Sequence, residues 1–173
     1  IWQRAKQCRV LIVKGEYDKA ELALEKSDLT ITLVEGWQVE DHNLEDYHLM
    51  IVNCPGDDLP IESVKKFVSH GGFLLTTDWC LNNLLEEAFP GYLRWSGDST
   101  EEKAVSVNII NFTHPFTKEL DHNLKLKWWL DGGSYPIVVL NKAVMVLVNS
   151  YELGERYGCP AVLVTFDSVS YTH

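Results

Sequence analysis

Nothing in this sequence approaches the roughly 20 consecutive apolar residues of a membrane-spanning helix, so no span is expected. The opening residues Ile1-Trp2-Gln3-Arg4 turn polar at once and carry no leader pattern, so no signal peptide is expected. Basic residues are scarce. Lys and Arg number 15 against 25 Asp and Glu, the net charge is −10, and no basic run exceeds Lys65-Lys66. A phosphate-binding surface needs clustered cations, so neither nucleic acid nor an anionic membrane is an expected partner. Cysteine occurs only as Cys8, Cys54, Cys80 and Cys159, with no C-x-x-C pair, which argues against a zinc ribbon or a thioredoxin-like site. A domain of 173 residues builds a core without disulfides, and the four read as reduced thiols of a cytoplasmic protein. Neither G-x-G-x-x-G nor a Walker A sequence is present, and Lys14-Gly15-Glu16 sets an acid where a phosphate would sit. No cofactor is expected. His42, His48, His70, His114, His122 and His173 include no i,i+4 pair and no H-E-x-x-H, so no metal is expected either. Internal repeats and low-complexity segments are absent.

What is present is enough apolar material for one layered core: 46% hydrophobic and 23% charged residues, ordinary values for a globular domain. Residues 9–14 (RVLIVK) hold a short apolar run opening into Gly15, the mark of a strand covered on both faces. Residues 17–26 read as a helix with Ala20, Leu22, Ala23 and Leu24 on its packed face. Residues 29–34 (LTITLV) are a β-branched second strand. A polar connection with a helical turn follows over residues 39–46, then a third strand over 47–53 closed by Cys54-Pro55-Gly56. Residues 60–70 start with Pro and end before Gly71-Gly72, with Ile61, Val64, Phe67 and Val68 as the apolar stripe of a helix. A fourth strand over 73–77 and a helix over 80–89 complete a β-α-β-(α)-β-α-β-α order. Crossovers of this length imply a parallel, doubly wound sheet, in strand order 2-1-3-4.

The second half reads differently. Residues 104–110 alternate as a half-exposed strand, and 124–130 (LKLKWWL) form another, whose Trp128 and Trp129 point to opposite faces, one to the core and one outward. Residues 135–140 and 143–148, separated by Asn141-Lys142, carry a hairpin signal. Residues 161–166 are a last strand, so an antiparallel extension is expected beside the parallel sheet. Residues 97–103 (GDSTEEK) read as a mobile surface loop, and the run from Phe166 to Ser170 has no turn glycine, as though residues were missing there. The whole chain, 1–173, reads as a single α/β domain.

In such a sheet, ligands bind beyond the carboxyl ends of the strands, near the point where strand order reverses. The candidate cleft is therefore Gly15 and Glu16 after the first strand, Trp37 after the second, Pro55, Gly56 and Asp57 after the third, and Asp78, Trp79 and Cys80 after the fourth. This layout resembles the class I glutamine amidotransferase-like superfamily, a three-layer flavodoxin-like sandwich. Its members carry a P-G-G turn after the third strand and a nucleophilic Cys after the fourth, and its PfpI-type branch a Glu just after strand one. Here Pro55-Gly56, Cys80 and Glu16 stand at those places, over residues 9–91. The second half, with Asp131-Gly132-Gly133-Ser134-Tyr135-Pro136 and the run from Pro160 to Thr165, resembles uncharacterised and ThuA-like members.

The resemblance implies a catalytic pair, Cys80 with Glu16, and the sequence departs from it. A nucleophile elbow wants small neighbours, and Cys80 lies between Trp79 and Leu81. The amidotransferase branch needs a late H-x-E to activate the thiol, and none occurs. Asp57 follows Pro55-Gly56 where a second Gly belongs, and a carboxylate there repels a developing oxyanion. The expectation is a non-catalytic binding or interaction module on this scaffold. One alternative is a cysteine-dependent hydrolase or amidotransferase-like enzyme using Cys80 with Glu16 and either His173 or His114. The other is a ThuA-like, carbohydrate-related protein, since Trp37, Trp79 and Trp95 near the cleft suit a sugar, a planar ligand or a protein partner. The expected partner is a small molecule or a protein, a second copy of this chain included.

Overall fold

The computed structural model describes residues 8–121 and 124–168. They fall into two compact units, one running to Phe89 and the other spanning Pro90–Asp167. The first unit opens with the strands β1 (Arg9–Val13), β2 (Thr30–Val34), β3 (Leu49–Val52) and β4 (Phe73–Thr76). They pair in the order β2-β1-β3-β4, all parallel and without register shifts, as expected. Val10, Leu11 and Ile12 have no exposed surface, which is why this strand reads as an unbroken apolar run. Alternation puts Val10, Ile12 and Ile51 on one face of the sheet, where they pack with Ala20 and Leu24 of the short helix Ala20–Leu24. That helix is shorter than its sequence pattern implies, and Leu22 is 63% exposed instead of packed. Positions 20 and 24 lie one above the other on a helix, and position 22 does not share their face.

The connection to β3 holds two 3₁₀ turns, Gly36–Asp41 and Leu44–Asp46. The helix Ile61–Ser69 follows and buries Val64 and Phe67 from its predicted stripe. After β4 a π-helical turn, Leu81–Leu85, runs into Glu86–Ala88. Among the described residues no helix is long and apolar enough to cross a membrane.

The second unit is built on antiparallel strands. They are β5 (Leu93–Trp95), β6 (Lys103–Ser106), β7 (Asn108–Ile109), β8 (Lys127–Leu130), β9 (Ile137–Val139), β10 (Met145–Asn149) and β11 (Ala161–Thr165). One sheet runs β5-β9-β11-β10-β7, and a separate ribbon pairs β6 with β8. Its core gathers Val105, Ile109, Leu130, Leu147, Val148 and Leu153, the last from the helix Tyr151–Tyr157. The hairpin expected across Asn141-Lys142 does not form, because β11 lies between β9 and β10 and pairs antiparallel with both. Asn141 instead folds its Oδ1 back to the Ala143 N–H, and no Gly supplies the positive φ of a tight two-residue hairpin turn. Trp128 and Trp129 are 43% and 60% exposed, so neither is core; a two-stranded ribbon lacks the layers to cover both faces. The 97–103 loop is anchored, with the Thr100 N–H donating to Ser134, the Gly133 N–H to Thr100, and Arg156 gripping Glu101. The run through Ser170 continues outside the described residues.

Candidate functional site

The carboxyl ends of β1 to β4 are stitched together by their own loops. Lys14, just past β1, forms an ion pair with Glu35, just past β2, at 2.6 Å. The N–H groups of Glu16 and Tyr17 both donate to the Cys54 carbonyl, at 3.0 and 3.4 Å, so the loop after β1 lies on the loop after β3. Gly15 is required there, since a Cβ would collide with the Cys54 carbonyl and stand 2.6 Å from Asn53 Cβ. The Cys54 N–H donates to Thr77 Oγ1 at 2.9 Å, tying in the end of β4. Gly36 abuts the Asp57 carbonyl, which brings Trp37, 65% exposed, to the same edge. The structure thus gathers Gly15, Glu16, Trp37, Pro55, Gly56, Asp57, Asp78, Trp79 and Cys80 at one edge of the sheet.

Three contributors escape a reading by motif. Asn83 Nδ2 donates to the Pro55 carbonyl and to Asp57 Oδ1, each at 2.9 Å, pinning the Pro-Gly turn to the helix beyond β4. Asn53, without exposed surface, accepts from the Ala20 N–H at 3.1 Å and donates to Glu21 at 3.1 Å. Tyr17 packs its ring on Trp79, with centroids 5.1 Å apart. The signal for Asn53 was available: a buried Asn at the end of an apolar strand has to find partners.

The residue at the sharp strand-to-helix turn is Asp78, not Cys80. Asp78 has φ +40, in the left-handed region, and its carbonyl accepts from the Leu81 N–H at 2.9 Å. Cys80 is two residues further on, in ordinary right-handed helical conformation. Its side chain has no exposed surface, and its thiol points at the Val52 and Asn53 carbonyls at 3.5 and 3.6 Å. Burial pushes this thiol up to about 12, with the charges of Cys54 and Asp18 adding to it. A helix N-terminus lowers a thiol pKa; here burial outweighs it. Cys54 is pushed up to about 11, first by burial and then by the carboxylates of Asp78, Asp18 and Asp57. Glu16 is exposed and makes no hydrogen bond to Cys80.

No histidine contacts Cys80 among the described residues. His48 precedes β3, at the opposite edge, and accepts the Arg9 N–H; with His42, His70, Lys66 and Phe73 it lines an open groove of about 740 Å³. His114 belongs to the second unit, and His122 and His173 lie outside the described residues. Trp95 is in the second unit too, stacked on Tyr135 at 4.2 Å. Among the described residues no three His, Cys, Asp or Glu side chains are placed to hold a metal.

No protein-family model matches the sequence, and no curated protein matches it. Solved structures do. A protein described as ThuA-like from Bacteroides uniformis superposes with TM-score 0.68 at 16% identity, over 95% of this chain and 79% of its own. A ThuA-like protein from Parabacteroides merdae gives 0.62 at 15% identity, over 92% and 75%. A glutamine amidotransferase from Thermotoga maritima gives 0.66 at 9% identity, over 93% and 72%. The chain therefore shares its fold with these ThuA-like and glutamine amidotransferase structures, a flavodoxin-like α/β arrangement.

Proposed function

We propose that this protein is a non-catalytic binding module on the amidotransferase-like fold, meeting a small molecule or a protein at the carboxyl edge of β1 to β4. One observation carries the reading: Cys80 is sealed under Gly56 and the β3 carbonyls, with its thiol pushed up to about 12. A nucleophilic cysteine has to reach its substrate as a thiolate beside a base. A thiol in that range is ionised in roughly one molecule in 10⁵ at pH 7. Asp57 adds a carboxylate beside the Pro55-Gly56 turn, where an oxyanion would need donors. The same edge retains what recognition needs: exposed Trp37, the Tyr17–Trp79 pair and several carboxylates around a hydrogen-bonded backbone. Matches spanning more than nine-tenths of the chain favour treating both units as one amidotransferase-like domain.

The test is a metabolite library followed by ¹H–¹⁵N correlation spectra. Binders are expected to shift the Trp37 and Trp79 indole and Gly15 and Gly56 amide signals without being consumed. Binders that shift only signals elsewhere, or disappear with time, contradict the reading.

A further inference from the structure

We infer that β8 pairs edge to edge with the β8 of a second copy of this chain, joining two β6–β8 ribbons into one four-stranded antiparallel sheet. This surface belongs to the second unit and does not depend on the binding edge of β1 to β4.

Among the described residues, β8 pairs with β6 alone. Their register sets Ser106 against Lys127, Val105 against Trp128, Ala104 against Trp129 and Lys103 against Leu130. One step along the same ladder, the Val107 N–H donates to the Leu126 carbonyl at 3.1 Å. Hydrogen-bonded and non-hydrogen-bonded pairs alternate in an antiparallel ladder, so Leu126, Trp128 and Leu130 bond toward β6. Lys127 and Trp129 turn their N–H and C=O groups the other way, where no backbone group among the described residues meets them. Such an edge is a template for another strand unless it is covered, bulged or broken by Pro, and β8 shows none of these.

The side chains say what fits there. Leu126 and Leu130 reach the core, yet Trp128 on their face is 43% exposed, and Trp129 on the opposite face is 60% exposed. Neither indole has a hydrogen-bonded or stacked partner among the described residues. Lys125 and Lys127 form no ion pair there either, since Glu152, which feels the Lys127 charge, is held by Lys103. A two-fold axis at Trp128 makes this strand complementary to itself. Lys127 then stands opposite Trp129 of the second copy, and Trp129 opposite its Lys127, so every outward backbone group of the two residues is bonded. The Lys127 ammonium meets an indole, Trp128 meets its own copy, and Lys125 comes opposite exposed Asp131 just past the strand ends. Centring the axis on Lys127 would oppose two like charges. Centring it on Trp129 would need Asp131 as a ladder partner, where the chain already turns and the Asp131 carbonyl accepts the Ser134 N–H at 3.1 Å.

A four-residue strand buries little surface, so the expected dissociation constant is roughly 10–100 µM. Sedimentation velocity of the whole chain is run from about 5 to about 500 µM, in about 150 mM salt to screen the net charge of −10. The mass is expected to climb from 19.7 kDa toward twice that value. Amide hydrogen exchange at the two ends of the same range locates the contact. The Lys127 and Trp129 amides are expected to slow about threefold at the higher concentration, and the Trp128 amide, already bonded to β6, to stay unchanged. The variant is Lys125→Asp, which sets two carboxylates against each other across the axis. It is expected to weaken the dimer about tenfold with its thermal midpoint kept. A chain that stays monomeric at the highest concentration overturns the inference and leaves the edge to a different partner. A dimer without slowed exchange at Lys127 and Trp129 overturns it too, as does one that Lys125→Asp leaves equally tight.

Discussion

Gly56 and Cys80 pack so closely that a methyl group on Gly56 would stand 2.7 Å from the Cys80 sulfur. Gly56 also has φ +76, so a side chain there is strained twice over. Gly56→Ala is expected to cost about 2–4 kcal/mol, combining left-handed strain with overpacking. Removing the sulfur relieves one part only. Urea denaturation of Gly56→Ala, Cys80→Ala and the double variant should show about 1–2 kcal/mol of coupling. Additive effects would mean the sulfur and the turn are not in contact.

Thiol reactivity should follow exposure. Cys8 is half-buried, whereas Cys54, Cys80 and Cys159 are buried. Native protein treated briefly with iodoacetamide at pH 7.5 should carry the label on Cys8, with the other three labelled only after unfolding. Peptide mass spectrometry reads this directly. Fast labelling of Cys80 would place its sulfur at the surface.

The two raised thiols make stability depend on alkaline pH. Each folded-state value, about 11 for Cys54 and about 12 for Cys80, lies above the ordinary 9.0. Their contribution is therefore complete below about pH 9 and is lost as pH climbs toward 11 and 12. The slope per thiol is at most about 1.4 kcal/mol per pH unit. Denaturation midpoints measured from pH 8 to 11 should fall more steeply for the natural chain than for a Cys54→Ser, Cys80→Ala variant. Identical slopes would contradict the burial of both groups.

Asn83 supplies another check. Its amide bridges the Pro55 carbonyl and Asp57. Asn83→Ala is expected to cost about 1–2 kcal/mol and to speed hydrogen exchange at Gly56 and Asp57, because the turn loses its tie to the helix. Faster exchange confined to the helix would show that the turn is held by other contacts.

The first unit was largely legible in the sequence, and the second was not, for a physical reason. β1 to β4 are separated by long crossovers, which force parallel pairing, and their apolar runs are unmistakable. In the second unit, β9 and β10 are close in sequence, yet β11 inserts between them, a long-range pairing that local pattern does not encode. The helix Tyr151–Tyr157 passed unseen because Gly154 interrupts its seven residues, although Ser150 caps it and Gly158 ends it with φ +68. At the edge, the strand ends alone were enough to place the nine candidate residues near one another. Two dihedral facts were invisible: Asp78 takes the sharp turn, and Cys80 follows it into the helix and under Gly56.

The most direct measurement is turnover. The natural chain and Cys80→Ser are each incubated with amide, ester and glutamine substrates at pH 7 to 9, and product is quantified against a protein-free control. The account predicts no product above the control from either protein, because the sulfur is buried and neutral, with no histidine hydrogen-bonded to it among the described residues. Turnover by the natural chain that the substitution abolishes would contradict it and make Cys80 a working nucleophile.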